Sequence, residues 1–180
     1  MSKYGRHLYK DVEVPTLSDF PVWKTIKLGT DLKTPDDFCS ALKKLNMKIG
    51  RWGKDMLNSS AFTVSDREVE VDLVKVSVSD LGFKHGAYRP DIDVQVFEVG
   101  LRFCPAEVGP QLRLEYRDQP KREWCTVWME PIIGSDDFFP YQFLVAEGHD
   151  ELWLHGICSK DDGFWKADRC LVCIRPRGYK

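Results

Sequence analysis

The chain has 180 residues and a mass of 20.8 kDa, with 43% hydrophobic and 30% charged residues. That balance fits a globular chain of one domain and excludes collagen-like repetition and wholesale disorder. The net charge of −2 gives no global basic field for nucleic acid or anionic membrane. The charge is uneven, however: eleven Lys and Arg face seven Asp and Glu in residues 1–60, against fifteen and twenty-one in residues 61–180.

Residues 1–21 contain Pro15 and Pro21 and read as an extended arm. Residues 22–180 read as a single domain. Nothing near the start resembles a secretory h-region, and no stretch approaches the roughly 18 apolar residues of a membrane span, so a cytoplasmic location is expected. Val22 to Leu28 suits a short strand. Thr34-Pro35-Asp36-Asp37 is a helix start: a capping hydroxyl, a proline where no N–H is needed, and two carboxylates at the positive end of the dipole. Phe38, Ala41, Leu42 and Leu45 then recur at helical spacing. Ile49, Trp52, Met56 and Leu57 suggest a second short helix, so 34–57 is expected to form a helical hairpin.

Val69, Val71 and Leu73 alternate, and Val74, Val76 and Val78 alternate in the opposite phase, which predicts a strand (68–79) with a bulge near Leu73. Residues 90–99 fit a helix, with Pro90 at its start, Gly100 past its end, and Ile92, Val96 and Val99 on one face. From 111 to 175 the alternation reads as sheet. Leu112, Leu114 and Tyr116 should pair with Trp124 to Met129 as one hairpin. Tyr141 to Val145 should pair with Leu152 to Ile157 as another, and Cys170 to Ile174 should be a last strand. The expected class is α+β, an N-terminal helical hairpin packed on a mainly antiparallel sheet.

Chemistry is harder to find. Cys170-Leu171-Val172-Cys173 has the CxxC outline, but in a strand the two thiols point to opposite faces and no second ligand pair exists, so neither metal nor cofactor is expected. All six cysteines are expected as free thiols. No nucleophile elbow or phosphate-binding glycine loop occurs. His85, Asp91 and Glu107 are the residues a hydrolase or nuclease would recruit, if the fold brought them together. Trp124 and Trp128 should share one sheet face, and Trp153 and His155 another strand's face. These four are the candidate ligand-binding residues, as a stacking platform or as core. Lys44, Lys48 and Arg51 are the candidate nucleic-acid contacts on the helical hairpin.

The stretch Cys104-Pro105-Ala106-Glu107-Val108-Gly109-Pro110-Gln111-Leu112-Arg113-Leu114 resembles a family of small uncharacterised bacterial proteins. So do Trp23 to Thr30, Val71 to Val76 and Trp128 to Ile132, together spanning most of residues 20–175. The resemblance implies a helix at 90–99 and argues against a required cysteine site. It carries no activity, ligand or catalytic residue. The expectation is a non-enzymatic binding or adaptor module of a bacterial or phage-like cytoplasm, taking a protein or small ligand, as a monomer or homodimer. A small enzyme and a nucleic-acid binder are the rivals.

Overall fold

The computed structural model describes residues 15–135 and 139–178. The first fourteen residues of the expected arm lie outside that range. Its last part forms a 3₁₀ turn, Leu17–Asp19, after which Phe20 is buried.

The chain then runs through β1 (Lys24–Leu28), α1 (Pro35–Lys44), β2 (Lys48–Ile49), α2 (Arg51–Leu57) and β3 (Val69–Ser77). It continues with β4 (Ala87–Tyr88), α3 (Arg89–Glu98), α4 (Val108–Glu115), β5 (Trp124–Val127), β6 (Ile132–Ile133) and β7 (Pro140–Gly148). The last elements are β8 (Glu151–Cys158), β9 (Phe164–Trp165) and β10 (Cys170–Arg175). The fold is mixed α and β, built on an eight-stranded sheet in the order β1-β3-β10-β5-β7-β8-β2, with β6 added beside β7. Its pairings are antiparallel except β10 with β5 and β2 with β8. β4 and β9 form a separate two-stranded ribbon.

The sheet has a core on each face. Alternation sends Ile26, Leu73, Cys125, Val127, Val145, Leu154 and Val172 to the face covered by α1, α2 and α4. Val74, Val76, Leu171 and Cys173 point the other way, into a smaller core with Ile92 and Val96 of α3, Trp128 and Trp165. This explains the phase change within β3 without a bulge. The register to β1 and to β10 is continuous, and the strand simply exchanges one buried face for the other between Leu73 and Val74.

α1 begins as its sequence demands. The Thr34 hydroxyl accepts from Asp37 N–H (3.2 Å), and the Asp37 carboxylate accepts from Thr34 N–H (2.9 Å). The expected helical hairpin does not form after it. Asn46, at φ 55°, turns the chain into β2, which joins the sheet edge beside β8 before α2 starts. The two helices are thus separated by a strand, and Ile49 serves the sheet as well as the core.

The expected strand at 112–116 is also corrected: residues 108–115 are helix α4. All seven residues from Val108 to Leu114 are buried, so no polar stripe marks the helical period, and Leu112 and Leu114 mimic strand alternation. Gly109 makes the burial geometrically feasible, because a Cβ there would lie 2.4 Å from Phe143 of β7. β5 consequently pairs with β7 and β10 instead of with 112–116. The second expected hairpin is β7–β8, closed by His149 and Asp150, both in the left-handed region.

Candidate functional site

One part of the smaller core's sheet face is left open. Cys125, Val145, Leu154 and Ile49 face the main core, so their chain neighbours Trp124, Ala146, Trp153 and Lys48 face the other side. The register places those four in one row across the strands, Trp124 opposite Ala146, Ala146 opposite Trp153, and Trp153 opposite Lys48. Trp124 is 51% exposed, Trp153 and His155 are partly exposed, and Ala146 is buried. The small Ala146 thereby sits as a saddle between two indoles.

His155 and Trp153 are stacked, with ring centroids 4.8 Å apart and planes within 5°. Gly50 secures that stack: a Cβ there would meet His155 Nδ1 at 2.2 Å. Burial pushes the His155 imidazole below its ordinary value.

Trp124 separates two depressions. One is lined by Lys121, Glu147, His149 and Asp150, with Arg122 and Trp124 shared between the two. Here Glu147 is buried and its carboxylate accepts from the backbone N–H of Arg122 (2.6 Å) and Asp150 (3.0 Å), holding Arg122 in a left-handed conformation at φ 62°. Lys121 is paired with Asp150 at 2.5 Å. The other depression contains Lys166, Asp168, Arg169 and Cys170. The side chains of Arg122 and Lys166 make no hydrogen bond or ion pair with another described residue, and Arg169 only faces the Trp165 ring (5.8 Å). Three cations thus surround Trp124, against one unpaired carboxylate, Asp168. An exposed ring beside unneutralised cations can stack a flat group and hold an anion attached to it.

The other expected site residues are placed differently. Trp128 shares the Trp124 face but is fully buried, edge-on to Trp165 (5.0 Å) and beneath the Arg89 guanidinium (5.4 Å). It belongs to the core, and its removal from the binding set follows from α3 lying over that end of the sheet. Lys48 joins the aromatic row, where it pairs loosely with Glu151 (3.5 Å). Lys44 is exposed at the end of α1, and Arg51 lies over the Trp52 ring (4.7 Å), which itself stacks on Tyr141 of the main-core face. Lys48 therefore lies on the opposite face of the sheet from Arg51.

His85, Asp91 and Glu107 are not assembled either. His85 is exposed in the turn before β4, and Asp91 is exposed in the first turn of α3. Glu107 lies on the main-core side, 1% exposed, accepting from the backbone N–H of Gly29 (2.6 Å) and Ser65 (2.8 Å). The sheet stands between it and the other two. Both of its oxygens are engaged in tying two loops to the start of α4.

Two polar clusters had no signal in the sequence. Arg113 of α4 is fully buried, donating to carbonyl oxygens of Gln119 (2.5 Å), Ala146 (3.3 Å) and Tyr116, and burial lowers its pKa to about 10. At the opposite face, Arg89 donates to Met129 O (3.3 Å) and faces Asp93 (3.5 Å), whose carboxyl is raised by burial in spite of that cation. Arg113 alternates with Leu112 and Leu114 as the solvent-facing residue of a strand would, and Arg89 precedes the expected helix at 90–99, so only tertiary contact reveals them.

No group of three or more His, Cys, Asp or Glu side chains among the described residues could hold a metal ion. No described helix is long and apolar enough to cross a membrane. No family model, curated protein or solved structure matches the chain.

Proposed function

We propose that the protein is a non-catalytic binding module of a bacterial cytoplasm, whose contact surface is the open sheet face around Trp124. Its ligand carries a flat ring and a negative charge, the chemistry of a nucleoside phosphate, free or within a single strand. The observation that carries the proposal is the half-exposed Trp124 ring flanked by Arg122, Lys166 and Arg169, which have no ion-pair partners among the described residues. Trp153, stacked on His155 across the Ala146 saddle, offers a second ring in the same row. The general acid and base candidates do not meet, which removes the support for a hydrolytic reading.

The test is tryptophan fluorescence at low salt, titrating ATP, a mixed-sequence single-stranded oligonucleotide of about twelve nucleotides, a typical length for such sites, and inorganic phosphate. Quenching by ATP or the oligonucleotide, weakened by salt and absent with phosphate alone, is expected. Binding should fall about tenfold or more in Trp124→Ala, since stacking contributes roughly 1–3 kcal/mol per base. Arg122→Glu should weaken it as well. Preference for the oligonucleotide over ATP identifies a single strand as the source, and the converse a free nucleotide. No binding of either at low salt, or full binding by Trp124→Ala, overturns the proposal.

A further inference from the structure

Cys125 and Cys170 are register partners on the parallel strands β5 and β10. Both side chains lie on the main-core face. Neighbouring strands stand about 4.8 Å apart, inside the roughly 4.4–6.8 Å between Cα atoms that a disulfide spans. The two sulfurs are 2.8 Å apart, and both cysteines are free thiols. Their surroundings differ. Cys125 is fully buried, whereas Cys170 is partly exposed and lines the depression that holds Arg122, Lys166 and Arg169. Glu123 lies beside the Cys125 thiol and is itself hydrogen-bonded by Lys75 (2.7 Å) and Tyr116 (2.6 Å).

We propose that Cys125 and Cys170 form an exchange-active dithiol, a modification site for small anionic disulfides of the glutathione type. Cys170 loses its proton to water and attacks one sulfur of the small disulfide. The S–S bond of that molecule breaks, a mixed disulfide forms on Cys170, and one small thiolate leaves. Cys125 then gives its proton to Glu123 and attacks Cys170 Sγ. The bond to the second small thiol breaks, and that thiolate leaves and takes up the proton from Glu123. The two protein thiols are oxidised to one disulfide, and the small disulfide is reduced to two thiols. Exposure sets the order of the steps, because only Cys170 is reached from solvent. Arg122, Lys166 and Arg169, unpaired among the described residues, lie at the same end of the sheet, and their field favours an anionic disulfide over a cationic one. Cys158 is exposed but has no thiol beside it, and so serves as an internal comparison. The pairing of the two sulfurs does not depend on whether a nucleoside phosphate binds nearby.

The test treats the full-length protein with glutathione disulfide, blocks remaining thiols by alkylation, and maps the peptides by mass. Cys125 and Cys170 should be lost together as one cross-linked peptide lighter by two hydrogens. Cys125→Ser should stop at a glutathione adduct on Cys170, and Cys170→Ser should leave Cys125 reduced. The cationic disulfide cystamine should react several-fold more slowly at low salt, the gap closing as salt rises. Adducts on Cys158 with Cys170 untouched, or a wild-type protein that halts at the mixed disulfide, overturn the proposal. Should Cys125→Ser fail to fold by circular dichroism, Cys125→Ala provides the same trap, and the wild-type map decides alone.

Discussion

Glu107 gives the sharpest test of how this fold is held. Its carboxylate is buried and accepts two backbone N–H bonds, from Gly29 at 2.6 Å and Ser65 at 2.8 Å. Bonds of this kind to a charged acceptor contribute about 1.5–3 kcal/mol each. Glu107→Ala removes both and strands two donors, so a loss of about 3–5 kcal/mol is expected. Glu107→Gln keeps the shape and one carbonyl acceptor but turns an NH₂ group toward one of the donors. The expected loss is about 2–3 kcal/mol, or a fall in Tm of roughly 4–12 °C at about 2–4 °C per kcal/mol for a chain of this size. Urea unfolding followed by tryptophan fluorescence measures both variants. A change below about 1 kcal/mol in the alanine variant would refute the assignment of Glu107 as a clamp. A gain in stability would do so more pointedly, since relief on substitution marks a group held for function.

Gly109→Ala should destabilise by about 1–3 kcal/mol through its collision with the buried Phe143 ring. Alanine gains roughly 1 kcal/mol in helix propensity, so the net loss in urea unfolding should be up to about 2 kcal/mol. Arg113→Met should cost about 3 kcal/mol or more, because three carbonyl oxygens lose their donor in the interior. His155 should titrate below 6.5 by NMR, because burial disfavours its cation. The unfolded chain then binds the proton more readily, so the stability His155 contributes is complete above pH 6.5 and lost as pH falls through the folded value; His155→Phe should flatten that portion of the stability profile.

Local chemistry made some elements legible and tertiary burial hid others. The start of α1 was readable because Thr34, Pro35 and Asp37 act within one turn. Helix α3 was readable from Pro90, Gly100 and the spacing of Ile92, Val96 and Val99, all of which are buried. α4 was not, because a helix buried on all sides carries no amphipathic period. β3 misled for a related reason: each half serves a different core, so a change of face resembled a bulge. In the candidate site, alternation put Trp124 and Trp128 on one face, and this is where they lie. Which of them meets solvent depends on α3, an element remote from both in sequence. The thiol pair shows the same limit. Cys170 was readable as facing away from Cys173, but its neighbour on the adjacent strand is set by strand order, which periodicity does not encode.

NMR of the six indole N–H groups tests the open face around Trp124 directly. On titration with the single-stranded oligonucleotide at low salt, the Trp124 and Trp153 signals should move together. Those of Trp128 and Trp165, sealed in the smaller core, should stay in place. Movement confined to the Trp52 signal, beneath Arg51 on the opposite side of the sheet, or no movement of Trp124 at all, would contradict it.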